Sequence, residues 1–226
     1  MVGSGSFSRR CGGSGPRATS LTGDCRSPRL LSSIPVGIRT DGGVVVGSAP
    51  LGHEGMVSGD GLTYYVGDWI NSTYRGVDIT NISKPKAIAS FNMKTELGLA
   101  AHGLSVSADG NRIYATAPFN PTAADVGVTM KNGFVVLDTS EVQARKPNAK
   151  IKHISSSLYT DGAGAQHTIA VKVGGKPYMV MVDELGSGVS EQASDVTDTC
   201  SKGLTPFPMT RIFDMADETK PALCPS

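Results

Sequence analysis

Three copies of one pattern run along most of the chain, and this repetition limits the fold more than any other feature. The copies span residues 52–91, 101–154 and 166–223. Each copy begins with a histidine, and seven residues later comes a dipeptide that readily takes a positive φ: Asp60-Gly61, Asp109-Gly110 and Gly174-Gly175. A turn of this kind between two short apolar runs predicts a β-hairpin at the start of each copy.

The second half of each copy is also shared. A run that carries tyrosine is followed by a run that ends in aspartate, and then by a polar turn that closes in Lys-Pro. The tyrosines are Tyr64, Tyr65, Tyr114 and Tyr178; the aspartates are Asp78, Asp138 and Asp214. Proline cannot donate a hydrogen bond to a sheet, so Lys-Pro indicates a break before a fourth strand. We expect the aspartates to accept backbone N–H groups in these turns and the tyrosines to pack between sheets.

Four short antiparallel strands per copy make up one blade of a β-propeller. The sequence therefore predicts an all-β fold, a β-propeller-like array of four-stranded antiparallel blades. A β-sandwich is the alternative, but it does not require the same features in the same order in every unit. Closed propellers have about 4–8 blades, whereas this sequence has three copies and the tail of an earlier one at Asp24 and Pro28. We therefore expect an incomplete ring, with an oligomer as one way to close it.

The predicted domain boundaries are a leader at residues 1–21 and one repeat domain at residues 22–226. The leader is rich in Gly, Ser and Arg and is expected to be disordered, with an Arg- and Ser-rich transit peptide as the alternative. It has no apolar core of a secretory signal, and no stretch approaches the roughly 20 apolar residues of a membrane span. Of the four cysteines, Cys200 and Cys224 suit either a disulfide or reduced thiols.

Charge composition argues against one class of partner. The chain has 21 basic and 20 acidic residues, and no basic stripe is visible, so nucleic acid is not expected to bind. A protein or a small-molecule ligand at one face of the propeller is the expected partner.

Four segments resemble one known family, the LVIVD-repeat β-propeller proteins. They are HGLSVSADGNRIYAT, NGFVVLDTSEVQARKPN, RIFDMADETKPAL and the GHEG segment that begins at Gly52. The resemblance covers about residues 22–222. It implies the propeller fold and little about chemistry. Members of the family are larger and often exported, so the resemblance leaves the compartment open.

His53, His102 and His167 are the best candidates for chemistry, because each begins a repeat. Equivalent positions of successive blades lie on a ring about the propeller axis, so the three imidazoles are expected to converge at the mouth of the channel. Imidazole nitrogen suits Zn, Cu or Fe, and three histidines leave one coordination position open. The alternative is a structural role, in which each histidine bonds the backbone of the neighbouring blade.

Three carboxylates are candidates for additional metal ligands. Glu54 follows His53 directly, while Asp183 and Glu184 end an apolar run. Carboxylate oxygens can complete a transition-metal shell or bind Ca²⁺, although acidic pairs are also common at solvated strand ends.

Two classes of function fit these residues. The first is a binding or interaction scaffold, which is the usual role of a propeller without a recognised catalytic set. The second is a metal-dependent enzyme, an oxidase or hydrolase, that uses the histidine cluster through a Lewis-acid ion.

Overall fold

The structure is a computed structural model, and it describes residues 17–20, 29–33, 38–39, 45–46, 52–118, 131–161, 163–186, 203 and 207–225. Two short hairpins come first. In one, β1 (Arg17–Ser20) pairs with β2 (Arg29–Ser33); in the other, β3 (Ile38–Arg39) pairs with β4 (Val45–Val46). β1 lies within the range predicted as a disordered leader, and residues 1–16 lie outside the described part of the chain.

Three four-stranded antiparallel sheets follow, one for each repeat. Sheet I consists of β5 (Glu54–Val57), β6 (Thr63–Asp68), β7 (Thr73–Asp78) and β8 (Lys86–Asn92). Helix α1 (Met93–Leu97) leads to sheet II, which consists of β9 (Leu104–Val106), β10 (Arg112–Ala117), β11 (Asn132–Asp138) and β12 (Lys152–Tyr159), with α2 (Ser140–Gln143) between its last two strands. Sheet III consists of β13 (Gly164–Val173), β14 (Lys176–Leu185), β15 (Thr210–Asp214) and β16 (Ala222–Leu223).

Each sheet pairs its strands in chain order, as the blade of a propeller does. The first strands lie next to one another, with β5 beside β9 and β9 beside β13. The predicted array of antiparallel blades is therefore confirmed. Within the described ranges the three sheets form an open array that does not close into a ring. No helix in the described part of the chain is long and apolar enough to cross a membrane.

The turns form as their sequences predict. Gly61 and Gly110 have φ values of 75° and 74°, which only glycine adopts at little cost. The aspartates that end the third strands accept the N–H two residues on: Asp78 from Thr80 at 2.9 Å, Asp138 from Ser140 at 2.8 Å and Asp214 from Ala216 at 2.8 Å. The predicted role of these carboxylates in turn closure is confirmed.

Two apolar clusters hold the sheets together. One lies between sheets I and II and includes Tyr65, Tyr74, Leu104, Val135 and Leu137. The other lies between sheets II and III and includes Phe134, Val136, Met179, Met181 and Phe213, with Tyr114 packed against it. The predicted packing between sheets is thus confirmed for Tyr65 and Tyr114, whereas the half-buried Tyr64 lies on the opposite face of β6 from Tyr65 and belongs to neither cluster. Tyr178 lies on the opposite face of sheet III from the neighbouring Met179.

Candidate metal site at the first strands

His53 and His102 meet where sheets I and II come together. Their Nε2 atoms are 2.9 Å apart, and the two rings are nearly perpendicular, with centroids 4.4 Å apart. His53 is exposed, whereas only 4% of His102 is exposed. The structure therefore brings together the histidines that begin the first two repeats, with their ring edges facing one another.

The backbone of sheet III fixes the tautomer of His102. Its Nδ1 lies 3.2 Å from the carbonyl oxygen of Gln166, and a carbonyl oxygen can only accept, so Nδ1 carries the proton. In the neutral ring, Nε2 then presents a lone pair, and the Nε2–H of His53 donates to it. Burial, followed by repulsion from His53, lowers the pKa of His102 despite the nearby carboxylates. A neutral imidazole with an unprotonated Nε2 is the form that binds a metal ion.

Tyr74 on β7 holds the backbone at His102. Its hydroxyl accepts the N–H of His102 at 3.0 Å and lies 2.8 Å from the carbonyl oxygen of Thr116, to which it donates. The Tyr74 side chain is fully buried, and that burial raises the pKa of its hydroxyl. A strand of sheet I therefore positions the histidine of sheet II.

Glu54 and His167 form a hydrogen-bonded pair between sheets I and III. The Nδ1–H of His167 donates to Oε2 of Glu54 at 3.0 Å, and the side-chain amide of Gln166 donates to Oε1 at 3.1 Å. Burial raises the pKa of Glu54, but the hydrogen bond and the charge of His167, with smaller effects from His102 and His53, outweigh it. The net result is a lowered pKa. His167 thus reaches the cluster through Glu54.

Strand register shows which positions in the three sheets are equivalent. In sheet I the terminal aspartate, Asp78, pairs with Thr63, and Gly67 is the fourth residue after Thr63. Gly67 in turn pairs with Glu54 on β5. In sheet I, the residue that pairs with this fourth position is therefore Glu54, and His53 directly precedes it.

Sheet III follows the same register but presents a different residue. Its terminal aspartate, Asp214, pairs with Tyr178, and the fourth residue after Tyr178 is Val182, which pairs with His167. His167 is therefore equivalent to Glu54 and lies one position away from the histidines of the first two sheets. The expectation of three equivalent histidines is wrong at His167. Six residues separate Val171 from its partner Tyr178 in sheet III, whereas four separate the equivalent Ser58 and Thr63 in sheet I, so the glycine-containing dipeptide lies one residue further from the equivalent strand position.

Gly103 of sheet II lies under the Glu54–His167 hydrogen bond. A Cβ atom at this residue would be 2.1 Å from the carbonyl oxygen of Gln166, 2.6 Å from Oε2 of Glu54 and 3.1 Å from Nδ1 of His167. Any side chain here would occupy the space in which Glu54 and His167 meet.

The two acidic candidates of β14 have separate surroundings. Oε2 of Glu184 lies 3.7 Å from Nε2 of His102, on the side of the ring that faces His53. Asp183 is buried and pairs with Arg211 at 2.6 Å. Arg211 also bonds Asp161 and lies over the ring of Tyr159. The structure therefore places Glu184 at the histidine cluster and engages Asp183 in a buried ion pair.

Trp69 forms an apolar border beside the histidines, and the exposed Ile70 follows it in the sequence. The Trp69 ring lies 4.9 Å from the His102 ring, centroid to centroid, and 6.0 Å from the His53 ring. Both residues follow β6, and they are 38% and 47% exposed. Sequence reasoning missed this border, although a lone tryptophan next to the end of a predicted strand was a visible signal. Gln166 and Gly103, which adjoin candidate histidines in the sequence, were missed as well.

The geometry of the cluster suits a transition-metal ion. One ligand atom each from His53, Glu54 and His102 lie within 4.8 Å of one another. A tetrahedral ion with metal–nitrogen distances of about 2.0–2.1 Å separates two imidazole nitrogens by roughly 3.3 Å. The observed 2.9 Å between the Nε2 atoms is within a small side-chain movement of that spacing. The bond from His102 Nδ1 to a backbone carbonyl is also the support that metal-binding histidines usually have.

Comparisons with known proteins bear on the fold. No family model and no curated protein sequence matches the chain. Among solved structures, a putative 6-phosphogluconolactonase from Bacteroides fragilis matches with a TM-score of 0.50 and 13% identity, over 95% of this chain and 57% of that one. A hypothetical selenium-binding protein from Sulfolobus tokodaii matches with a TM-score of 0.38 and 19% identity, over 56% of this chain and 30% of that one. The chain thus spans less than two thirds of either structure, and the likeness to the first shows the β-propeller-like fold.

Proposed function

We propose that the protein is an LVIVD-repeat propeller that binds a ligand through a divalent transition-metal ion held by His53 and His102. The observation that carries the proposal is the 2.9 Å approach of the two Nε2 atoms, with the proton of His102 fixed on Nδ1 by the carbonyl of Gln166. This arrangement directs a lone pair of a buried, neutral imidazole toward a second imidazole. Zn²⁺, Cu²⁺ and Fe²⁺ are the ions that such ligands suit.

A carboxylate completes the protein ligands in this proposal. Glu184 reaches the Nε2 side of His102 at 3.7 Å, whereas Glu54 lies 4.0 Å from Nδ1 and has both oxygens hydrogen-bonded. We therefore assign the carboxylate ligand to Glu184 and a positioning role to Glu54. Two imidazoles and one carboxylate leave an open coordination position, which is where a ligand of a scaffold would bind.

The border formed by Trp69 determines the chemistry of that ligand. An exposed aromatic ring beside an ion favours a small molecule with one metal-binding atom and an apolar body. Binding alone requires no catalytic side chains, so the proposed function depends only on the metal ion and this apolar border.

Calorimetric titration of the chelator-treated protein with Zn²⁺ or Cu²⁺ tests the proposal. We expect one site per chain, with affinity lower by at least about 100-fold in His53→Ala and in His102→Ala, since each change removes a metal ligand. His153→Ala is the matched control, because His153 lies on the outer strand β12, exposed, and bonds Ser156. Equal metal affinity in the wild type and all three variants would contradict the proposed metal site.

Two further variants separate the carboxylates. Glu184→Gln should weaken binding at least as strongly as Glu54→Gln, which we expect to lower affinity by about 10–100-fold, the usual effect of losing a supporting contact. The reverse order would assign the carboxylate ligand to Glu54 and contradict our assignment.

A further inference from the structure

Sheet III has an apolar face that no described part of the chain covers. On β13, β14 and β15 the residues Ile169, Val180 and Ile212 are direct cross-strand neighbours. Ile169 and Ile212 are 48% and 46% exposed, and Val173 at the end of β13 is 64% exposed. We call this surface the open face of sheet III; it consists of Ile169, Val171, Val173, Val180, Val182 and Ile212.

The opposite face of the same sheet shows what such a surface normally does. Thr168, Met179, Met181 and Phe213 alternate with the residues of the open face and are buried against sheet II. Contiguous exposed apolar surface on a sheet is a common sign of an interaction site.

The equivalent face of sheet II is covered by a sheet. In sheet II, Tyr114 pairs with Val136, and this pair stands in the same register to its terminal aspartate as Val180 and Ile212 do in sheet III. Val136 is fully buried in the cluster that joins sheets II and III. The one face of this type that the described residues cover thus packs against a sheet, and a second sheet is the expected occupant of the open face of sheet III.

Charged residues at the two ends of the open face indicate which sheet packs against it. Lys176 and Glu184 lie on β14 in alternation with Val180 and Val182, so they share the face, one at each end. Both are exposed. When two such faces pack with their β14 strands antiparallel about a two-fold axis, Lys176 of each copy lies opposite Glu184 of the other. The face is therefore complementary to itself, as a two-fold interface requires.

We propose that two copies of this chain pack through the open faces of sheet III, related by a two-fold axis that sets their β14 strands antiparallel. The apolar residues at the centre form the contact between the two copies. Lys176 and Glu184 at the two ends determine the antiparallel orientation of the β14 strands. The dimer does not require a bound metal ion, although Glu184 belongs both to the proposed metal site and to this interface.

Sedimentation equilibrium of the whole chain, with chelator present, tests the dimer between about 1 and 100 µM, a range that brackets micromolar affinity. We expect a dimer in the wild type and a monomer in Ile212→Glu, because a charge would then be buried at the centre of the interface. Leu62→Glu is the matched control, since Leu62 is 43% exposed on the β5–β6 turn of sheet I, and it should remain dimeric. A wild-type monomer, or a dimer that Ile212→Glu leaves intact, overturns the proposal.

Variants of Lys176 and Glu184 test the antiparallel orientation of the two β14 strands and leave the apolar residues of the face unchanged. Lys176→Glu and Glu184→Lys should each raise the dimer dissociation constant by about tenfold, since like charges across an interface oppose binding. The double variant should recover most of that loss. If the double variant is weaker than both single variants, the antiparallel arrangement is wrong.

Other ways of covering the open face would give results different from those of a two-fold dimer. Species that grow without limit as concentration rises would show a head-to-tail contact and overturn the two-fold arrangement. A wild-type monomer that fails to bind a hydrophobic dye would show that another segment of the same chain covers the face. That result would also overturn the proposal.

Discussion

Gly103 is the residue over which side chains of two other sheets meet. Glu54 comes from sheet I and His167 from sheet III, and their 3.0 Å hydrogen bond passes above this residue of sheet II. The missing side chain at Gly103 creates the space, because a Cβ atom there would lie within 2.6 Å of both Glu54 Oε2 and the Gln166 carbonyl oxygen. One hydrogen atom in place of a methyl group thus allows the first strands of three sheets to share a polar cluster.

Gly103→Ala is expected to lower the free energy of unfolding by about 1–3 kcal/mol, the usual cost of forcing a methyl group into filled space. Urea denaturation measures the change. Gly174→Ala is the control: its φ is +56° and its Cβ would meet nothing within 4 Å, so only backbone strain of about 1–2 kcal/mol applies. Gly103→Ala alone should also weaken metal binding, and an unchanged affinity would contradict the role of this glycine.

The pH dependence of stability follows from His102. Burial and the adjacent His53 lower its pKa in the folded protein, so at acidic pH the unfolded chain binds more protons than the folded chain does. We therefore expect the free energy of unfolding of the chelator-treated protein to fall as pH drops below about 6.5, the ordinary histidine value. His102→Asn should flatten this slope in urea titrations at pH 5–7. A slope equal to that of the wild type would assign the acid sensitivity to other groups.

At the scale of elements, the length of one hairpin decides the role of His167. The sequence places all three histidines seven residues before a glycine-containing dipeptide. In sheet III six residues separate Val171 from its partner Tyr178, whereas in sheet I four separate the equivalent Ser58 and Thr63, so the dipeptide of sheet III lies one residue further from the equivalent strand position. A one-residue change of register moves a side chain to the other face. The positions of His53 and His102 could thus be predicted from spacing, but that of His167 could not, because spacing does not show how far the two strands of a hairpin stay paired.

The strands and their order were predictable for a different reason. Positive-φ dipeptides, strand-ending aspartates and Lys-Pro breaks are local signals, and each acts within a few residues of its position. Contacts between sheets lack such a signal. The bonds of Tyr74 to His102 and of Gln166 to Glu54 join residues 28 and 112 apart in sequence, and no spacing in one copy of the repeat predicts them.

Tyr74→Phe tests how β7 positions the next sheet. It removes the only acceptor that the described residues offer to the His102 N–H, and a buried N–H without a partner costs about 1–3 kcal/mol. Tyr65→Phe is the comparison, because the Tyr65 hydroxyl bonds the half-buried Gln143 side chain, which can turn toward water; we expect about 0.5–1 kcal/mol there. Chemical denaturation measures both. Equal losses would contradict a special role for Tyr74, as would unchanged metal affinity in Tyr74→Phe.

At the scale of the whole molecule, sheet II is the element that links the other two sheets. Its strands contribute to both apolar clusters: Val135 and Leu137 face sheet I, while Phe134 and Val136 face sheet III. Alternate residues of β11 therefore belong to different cores. Because both faces of sheet II are buried, loss of packing on one side removes support for the other.

Phe213→Ala tests that coupling through a residue of sheet III that packs against sheet II. Phe213 is 1% exposed and packs edge-on against Phe134 of sheet II at 4.9 Å, so its truncation should cost about 3–5 kcal/mol. Leu223→Ala is the matched control, because Leu223 pairs with Phe213 across β16 but is 55% exposed, and it should cost less than about 1 kcal/mol. Trp69, the single tryptophan, lies in sheet I and reports its unfolding by fluorescence, while circular dichroism reports all three sheets. If the sheets unfold together, Phe213→Ala lowers both denaturation midpoints equally. A shift in the dichroism midpoint with the Trp69 midpoint unchanged would show that sheet I unfolds independently of sheet III.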